Sequence, residues 1–331
     1  MEIISETVAE DPTTVRCRVC SCPDLRPDFL LLEFTVLTCP QCGHGTTTYT
    51  QEITDSQSRF GEVRWTETRD ILQPVVKMAA RRRYEELLEF SPGRDILEVG
   101  CGTGEFLRHA HDAGHRVTGI DLSGEAVRYV REHHPGIDVR CQSLETAGLL
   151  PASFDVIAAF HVLEHVSDPI GLLSQMKRLL RPGGLVYVRV PNLNSWFRRV
   201  LGRNWWGFSV EHMSHFTDQS MRLALASAGL GMHSVWTGDS NREHSYWPVL
   251  PLLLARGAVL RSVGNALQPP PDPHHAADRS NARRIALKSN LLAAYMGYRR
   301  TVSVLIRPMS ELQLKRGGGT ELVAVGRNQV G

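Results

Sequence analysis

LEVGCGTGEF, residues 97–106, places Gly100, Gly102 and Gly104 in a turn between a short apolar strand and a helix. Glycine is required where the backbone adopts positive φ, or where a ligand lies against it with no Cβ between them. The helix that follows directs unpaired N–H groups toward the same crevice, at the carboxyl end of the strand. A dinucleotide-binding turn would carry its third glycine at position 105, where this chain has Glu105. The turn therefore favours a nucleoside ligand that has no diphosphate.

Two acidic residues flank this turn in the way such a ligand requires. Asp121 ends the second predicted strand, 21 residues after Gly100, and its carboxylate can accept both hydroxyls of a ribose. Glu98 stands before the glycines and suits an ammonium or sulfonium group through a charge-assisted hydrogen bond. The structural alternative is that Glu98 anchors a loop and Asp121 caps the helix after Ser123. Taken with the glycine spacing, the two acids predict a site for a positively charged nucleoside.

Strand and helix patterns alternate outward from this turn, which predicts an α/β fold with a parallel sheet covered on both faces. The fourth predicted strand is the most hydrophobic and is expected at the centre of the sheet. HSVWTG is the sixth predicted strand and ELVAVGRN (321–328) the last. The first five are predicted at DILEVG (95–100), RVTGIDLS (116–123), IDVRCQS (137–143), FDVIAAFHVLEHV (154–166) and LVYVRVPN (185–192).

Four ordered segments, LEVGCGTG, VTGIDLS, FDVIAAFHVLEHVSDP and LLRPGGLVYVRVPN, resemble the successive signatures of class I S-adenosylmethionine-dependent methyltransferases. They cover residues 94–192. The resemblance implies a Rossmann-like, mostly parallel sheet with an antiparallel last strand, and S-adenosylmethionine as the methyl donor. It implies adenine contacts from Ser143 and Leu144, although the family often has Asp where this chain has Ser143. The full set of residues that we expect to bind the donor is Glu98, Gly100, Gly102, Gly104, Asp121, Leu122, Ser143, Leu144 and His161.

HVLEH at 161–165 has the H-x-x-E-H spacing of inverted zinc peptidases, which requires a helix to place both histidines on one face. Here the motif ends a predicted strand, where successive side chains alternate, so we reject the peptidase interpretation. The segment is similar to one in ubiquinone-pathway O-methyltransferases, and this resemblance implies a candidate site for a divalent cation near Glu164. This chain has His161 where those proteins tend to have an acid. His165 is expected either at the transferred methyl group or as a support for the loop.

An aromatic loop after the fifth strand, PNLNSWFRRVLGRNWWGFSVEHMSHFTD, resembles the acceptor side of small-molecule methyltransferases. Aromatic side chains beside a cofactor cleft suit an acceptor pocket, although most of them are expected to form the core of a lid. His212 and His215 are the candidate bases, because imidazole can take a proton from a hydroxyl near neutral pH. The predicted catalytic residues are thus His165, His212 and His215.

Five cysteines fall within the first 42 residues, and two C-x-x-C pairs, Cys17/Cys20 and Cys39/Cys42, have the spacing of a four-cysteine zinc site. Because four thiolates complete a tetrahedron, the zinc is expected to be structural. Cys22 and His44 are close enough to be alternate ligands. The module resembles one that precedes deoxysugar C-methyltransferases. Some ribosomal-RNA methyltransferases also carry one, but nine acids against four arginines in residues 1–60 argue against phosphate binding.

The chain has 331 residues, 42% of them hydrophobic and 22% charged, which is ordinary for a globular protein with one catalytic domain and a smaller module. The predicted organisation is a zinc ribbon (1–60), a linker helix (61–93), the donor-binding core (94–245), a helical insertion (246–317) and a final strand (318–331). The insertion is basic: residues 281–316 carry eight Arg or Lys and one acid. It is expected to be a helical cover over the acceptor or, alternatively, a contact to an anionic membrane surface or lipid-linked substrate.

The function expected from these features is methyl transfer from S-adenosylmethionine to a small molecule, with a hydroxyl of a sugar, lipid-linked glycan or natural product as acceptor. The alternatives are carbon methylation of a nucleotide sugar, RNA methylation, and a zinc-ribbon adaptor without activity. The first residues lack a basic start followed by an apolar run, so no signal peptide is expected. The longest apolar stretch, from Tyr246, contains two prolines and an arginine and is too short to span a bilayer. A cytoplasmic protein is expected; the oligomeric state is left open.

Overall fold

A computed structural model describes residues 15–31, 34–49, 76–238, 314 and 316–329. The chain divides into two compact units, Met1–Ser240 with Gly317–Gly331, and Asn241–Arg316. Apart from its last few residues, the predicted helical insertion lies outside the described residues. Within those residues, no helix is long and apolar enough to cross a membrane.

A seven-stranded sheet forms the larger part of the first unit, in the order β10-β11-β8-β7-β4-β5-β6. The strands β4 to β8 run parallel, and β11 runs antiparallel to both of its neighbours. This confirms the predicted Rossmann-like fold with its antiparallel last strand. The strands are β4 (Asp95–Val99), β5 (Arg116–Asp121), β6 (Asp138–Cys141), β7 (Phe154–Phe160), β8 (Leu180–Pro191), β10 (Gly231–Gly238) and β11 (Glu321–Arg327).

Helices cover both faces of this sheet because each central strand is apolar on both sides. In β11, Leu322 and Ala324 point to one face and Val323 and Val325 to the other, and all four are buried. The second face is covered by α1 and the next two helices, and the first by α4 and α6. The helices are α1 (residues 76–88), α2 (Glu105–Asp112), α3 (Gly124–His133), α4 (Pro169–Leu179), α5 (Trp196–Leu201) and α6 (Asp218–Ser227).

Side-chain caps determine where these helices begin. Ser123 accepts a hydrogen bond from Ala126 N at the start of α3, and Asp168 accepts one from Gly171 N at the start of α4. Thr217 and Ser220 form a reciprocal capping box at α6. Each cap satisfies a backbone N–H that has no partner within its helix.

The prediction of the fourth strand at 154–166 is wrong at the carboxyl end. β7 stops at Phe160, the backbone turns at His161 (φ 58°), and Leu163–His165 form a 3₁₀ turn. The apolar run continues because Leu163 and Val166 are buried in the core in a non-extended conformation, which hydrophobicity alone does not distinguish from a strand. HVLEH therefore lies in a turn, and the peptidase interpretation stays excluded.

The N-terminal module is a small antiparallel sheet of β1 (Arg26–Leu30), β2 (Phe34–Thr38) and β3 (Gly45–Tyr49). A fourth strand, β9 (Ser214–His215), comes from the loop before α6 and pairs with β3. The aromatic loop predicted for the acceptor side is thus joined to the cysteine module by backbone hydrogen bonds.

Candidate active site

The glycine turn between β4 and α2 has the conformation that its sequence requires. Gly100 and Gly104 both have a φ of 70°, and Gly104 precedes the first residue of α2. A Cβ on Gly100 would lie 2.7 Å from Cγ2 of Val162, so no other residue fits without displacing the turn after β7. Backbone N–H groups of Gly100 and Cys101 bond to Ile120 O, which holds the turn against the end of β5.

Asp121 lies at the carboxyl end of β5 beside this turn. Its Oδ2 accepts a hydrogen bond from Gly102 N at 2.8 Å, and its Oδ1 accepts one from Ser123 N at 2.9 Å. Since a carboxylate offers about four acceptor positions, capacity remains for two ribose hydroxyls. Burial raises the pKa of Asp121 above its ordinary value.

Glu98 is the buried acid of the site, with 4% of its surface exposed. Its Oε2 has no hydrogen-bond partner in the part of the chain that the structure describes. Burial raises the pKa of Glu98 well above its ordinary value, although the positive charge of Arg83 opposes this shift. An unsatisfied buried carboxylate oxygen is costly, and a ligand ammonium or backbone-like N–H would satisfy it. The donor chemistry predicted from the sequence fits this residue.

The residues predicted to hold adenine lie in and beside the turn after β6, at the same edge of the sheet as Asp121. Gln142 N bonds to Asp121 O, which places the turn after β6 directly beside Asp121. Leu144 is buried and Ser143 Oγ contacts Thr146 Oγ1, whereas Leu122 is 49% exposed. Exposed Leu122 follows Asp121 and offers an apolar surface at the predicted position of the base. The predicted donor residues from β4, β5, β6 and β7 therefore meet at one edge.

His161 ends β7 and lies between two acids. Its Nδ1 is 3.1 Å from Glu164 Oε1 and its Nε2 is 3.0 Å from Glu321 Oε1. Burial alone would lower the pKa of His161, but these two hydrogen bonds raise it to about 9, so the ring is cationic at neutral pH. Position 161, where the resemblance to the ubiquinone-pathway proteins implies an acid, thus holds a positive charge here.

Behind His161 is a buried network of charges that sequence reasoning missed. Arg189 is fully buried in β8 and bonds Glu321 Oε2 at 2.8 Å and Glu86 of α1. Arg83 places its guanidinium 4.7 Å above the ring of Phe160 and 3.9 Å from Glu321. The signal was present: Arg189 is the one charged residue in LVYVRVP, and a charge in a central strand requires a buried partner.

Glu164, His165 and His212 form a second cluster beside His161, with ligand atoms all within 4.8 Å of one another. His165 Nδ1 is 3.0 Å from Glu211 O, and His212 Nδ1 is 2.8 Å from Gly207 O. Because a carbonyl can only accept, both rings carry their proton on Nδ1 in these bonds, and Nε2 has the lone pair when the ring is neutral. Burial lowers the pKa of His212 to about 4, so this ring is neutral at pH 7. Glu164 Oε2 is buried and lacks a hydrogen-bond partner among the described residues.

His215, the other candidate base, lies outside this group of ligand atoms, with its ring centroid 6.3 Å from that of His212. It is 2% exposed in β9, its Nε2 is 2.9 Å from Thr47 Oγ1, and burial lowers its pKa well below the ordinary value. Among the aromatic residues of the same loop, Phe197 and Trp205 are buried, whereas Trp196, Trp206 and Phe208 are half-buried.

The four cysteines of the predicted zinc site come together. The Sγ atoms of Cys17, Cys20, Cys39 and Cys42 all lie within 4.8 Å of one another, and the Cys17–Cys42 and Cys20–Cys39 pairs are each 3.5 Å apart. Tetrahedral Zn–S bonds place thiolates about 3.8 Å apart, so the set fits one zinc ion. Each C-x-x-C turn is followed by a residue at positive φ, Ser21 or Gly43. The group comprises these four residues and leaves the alternates Cys22 and His44 outside it.

Comparison with known proteins agrees with this geometry. A family model described as a methyltransferase domain matches residues 74–235. Residues 74–235 are thus similar to a methyltransferase domain. The fold of a solved complex of the Haloferax volcanii Trm112 methyltransferase activator with a methyltransferase is similar, with a TM-score of 0.50 at 16% identity over 80% of this chain and 96% of that one. At that identity the likeness concerns the fold alone.

Curated relatives match part of the methyltransferase domain. A protein of Mycolicibacterium smegmatis named as a probable S-adenosylmethionine-dependent methyltransferase is 39% identical over 33% of this chain and 42% of its own length. Ubiquinone biosynthesis O-methyltransferases of Idiomarina loihiensis and Thiobacillus denitrificans are 38% and 32% identical, over 33% and 42% of this chain. The chain spans 48% and 63% of the length of those two relatives.

Proposed function

We propose that this protein transfers a methyl group from S-adenosylmethionine to a hydroxyl of a small molecule. The observation that carries the proposal is Glu98: its buried, unsatisfied oxygen lies beside a glycine turn and opposite the ribose-type carboxylate of Asp121. Such a pair of acids suits a nucleoside with a positive charge, and the family match of residues 74–235 supports the same donor.

On the donor side, the residues bind and orient. Glu98 would hold the ammonium or sulfonium end, Asp121 the ribose, and Leu122, Ser143 and Leu144 the base. Bound S-adenosylmethionine supplies an activated methyl group, so the protein's contribution is alignment of donor and acceptor and removal of a proton. The cation at His161 is neutralised by Glu164 and Glu321, which keeps a net repulsive charge away from the sulfonium.

On the acceptor side, His212 is the favoured base over His215. Its Nδ1–H is fixed by Gly207 O, so its Nε2 can accept a proton from a hydroxyl, and its ring is neutral at pH 7. His165 lies with its ring centroid 4.7 Å from that of His212 and would orient it. The relatives named as ubiquinone biosynthesis O-methyltransferases support an oxygen acceptor. A sugar, a lipid-linked glycan and a natural product remain the candidate classes.

A zinc ion held by Cys17, Cys20, Cys39 and Cys42 is part of the same proposal. Three buried thiol groups and one half-buried one at this spacing would otherwise be poorly satisfied, and a closed four-thiolate site has no open position for chemistry. The ion would stabilise the fold of the N-terminal module.

A second candidate role for the Glu164 cluster is the binding of a divalent cation. The observation in its favour is Glu164 Oε2, buried and unpartnered within coordination reach of two histidines. The ion would act as a Lewis acid toward an acceptor oxygen. Titration with Mn²⁺ observed by electron paramagnetic resonance tests this role. Binding that is lost in Glu164→Gln while the zinc content stays constant supports it, and no binding refutes it.

The test of the main proposal uses calorimetry and a labelled methyl donor. Wild-type protein is expected to bind S-adenosylmethionine with micromolar affinity and not NAD. It should then label one member of a panel of hydroxylated aromatic compounds, nucleotide sugars, lipid-linked glycans and RNA. His212→Gln should abolish labelling without changing donor affinity, whereas His215→Gln is the matched control from the same loop. Label on carbon or RNA would replace the hydroxyl assignment, and donor binding with no label on any acceptor would favour an adaptor.

A further inference from the structure

The segment that carries His212 is held between two parts of the molecule. On one side is the turn after β7: Met213 N donates to Glu164 O at 2.7 Å, and Glu211 O accepts from His165 Nδ1. On the other side is strand β3 of the cysteine module, which pairs with β9. The base candidate therefore occupies a position that neither part determines alone.

The contacts with β3 are specific hydrogen bonds. Thr47 Oγ1 donates to His212 O at 2.6 Å, and Thr47 N donates to Met213 O at 3.1 Å. Since the Thr47 hydroxyl has one hydrogen, its 2.9 Å contact with His215 is an acceptance from Nε2–H. Tyr49 Oη donates to Val210 O at 3.0 Å, so residues of one strand engage three carbonyl groups of the loop, those of Val210, His212 and Met213.

Apolar packing joins the same two parts. Phe34, Val36 and Tyr49 of the module form one buried cluster with Met213 of the loop, and Phe29, Phe208 and Val210 pack against it. Because this cluster is separate from the cores on the two faces of the large sheet, the loop side of the active site depends on the module for burial.

The second C-x-x-C turn, which contains Cys39 and Cys42, leads into β3 and contacts the start of α6. Cys39 and Cys42 precede β3, which starts at Gly45, and Cys42 O accepts a 3.5 Å hydrogen bond from Thr217, the residue that caps α6. Gln219 Nε2 also donates to Gln41 O at 3.1 Å. Release of the two thiolates would free both the start of β3 and its contacts at α6.

We propose that the cysteine module is a positioning element of the acceptor side, in which Thr47 holds the His212 segment and zinc binding is coupled to that segment but not to the donor site. The proposal rests on the proposed role of His212 and on the proposed zinc ion. It assigns the module a place in the reaction centre, in contrast to a role in recruiting a nucleic acid or another protein. Thr47 acts through His212 and is not itself a catalytic residue.

The module offers a matched control one residue away. Thr46 is buried in the same strand, and its hydroxyl has no hydrogen-bond partner among the described residues. Thr46→Val and Thr47→Val therefore make the same chemical change at equal burial, and only the second removes bonds to the loop. Thr47→Ser retains the hydroxyl and should rescue.

Hydrogen exchange of the full chain, followed by mass spectrometry, tests the coupling without a known acceptor. Removal of zinc with a chelator should speed exchange in a peptide covering residues 208–217 by about tenfold, the effect of losing roughly one buried hydrogen bond. Exchange in the Gly100–Gly104 turn and the affinity for S-adenosylmethionine should stay unchanged. Thr47→Val should give the same local effect with its zinc content intact, and Thr47→Ser and Thr46→Val should resemble wild type.

Three results would overturn the proposal: no change at residues 208–217 on zinc removal, equal effects of Thr46→Val and Thr47→Val, or a parallel loss of donor binding, which would make the module a general stabiliser. With an acceptor from the screen, Thr47→Val should lower kcat about tenfold and leave KM for the donor unchanged. Failure of the proposed function is a separate outcome. The hydrogen-exchange experiment gives its own result whether or not the wild-type protein labels an acceptor.

Discussion

Replacement of Asp121 by Asn tests the donor site most directly. The two side chains have the same shape, but one carboxylate oxygen becomes an NH₂ group that cannot accept a hydrogen bond. In the folded protein the two oxygens accept from Gly102 N at 2.8 Å and Ser123 N at 2.9 Å. In either orientation of the amide, one of these backbone donors loses its acceptor, and the ribose hydroxyls lose a charged one.

The magnitude follows from these bonds. A hydrogen bond to a charged group contributes about 1.5–3 kcal/mol, and the bond lost in the turn affects stability while those lost at the ribose affect affinity. A loss of about 2–3 kcal/mol at the ribose raises the Kd for S-adenosylmethionine about 30-fold to 150-fold. The change is expected in binding enthalpy and Kd measured by isothermal titration calorimetry on zinc-loaded protein.

Glu125→Gln is the control, because Glu125 lies in the first turn of α3, four residues from Asp121, and its removal changes the local charge equally. It should alter the Kd by less than about threefold, as expected for a charge near a helix N-terminus. A Kd for Asp121→Asn within about threefold of wild type would refute the ribose assignment. Equal losses of affinity in Asp121→Asn and Glu125→Gln would mean that the effect comes from the change in local charge and not from contact with the ribose.

The remaining predictions concern burial, strain and charge. Because burial raises the pKa of Glu98, the folded protein holds a proton at pH values where the unfolded chain has released it. Wild type should therefore lose stability relative to Glu98→Gln as the pH rises above the ordinary glutamate value of 4.5, measured by thermal unfolding, while donor affinity rises. Gly100→Ala should destabilise by about 1–3 kcal/mol in urea and weaken donor binding, because its Cβ meets Val162; Gly114→Ala, also at positive φ but with open space around it, should show only the backbone strain. His161→Gln leaves buried Glu164 without the cation that bonds it, whereas Glu321 keeps Arg189, and should cost about 3 kcal/mol at pH 6; this difference should shrink as the pH rises from 6.5 through about 9, where the His161 of wild type loses its proton. A pH-independent difference would contradict the ionised state of His161.

Local sequence was sufficient for the features that depend on backbone conformation and nearby residues. The positive φ of Gly100 and Gly104, the caps at Ser123 and Thr217, and the two C-x-x-C turns each depend on a few adjacent residues, and all are visible as patterns. The alternation of apolar strands and helices likewise predicted the sheet, because every central strand must be apolar on both faces.

Tertiary structure decided what distant residues do to one another. Arg189 and Glu321 are 132 residues apart in sequence and 2.8 Å apart in the fold, and no local pattern pairs them. The end of β7 was mispredicted because the burial of Leu163 and Val166 comes from packing and not from extension. His212 and His215 looked equivalent in EHMSH. The pairing of β3 with β9 separates them, placing one beside Glu164 and the other against Thr47, since adjacent segments of chain acquire different chemistry only from what packs against them.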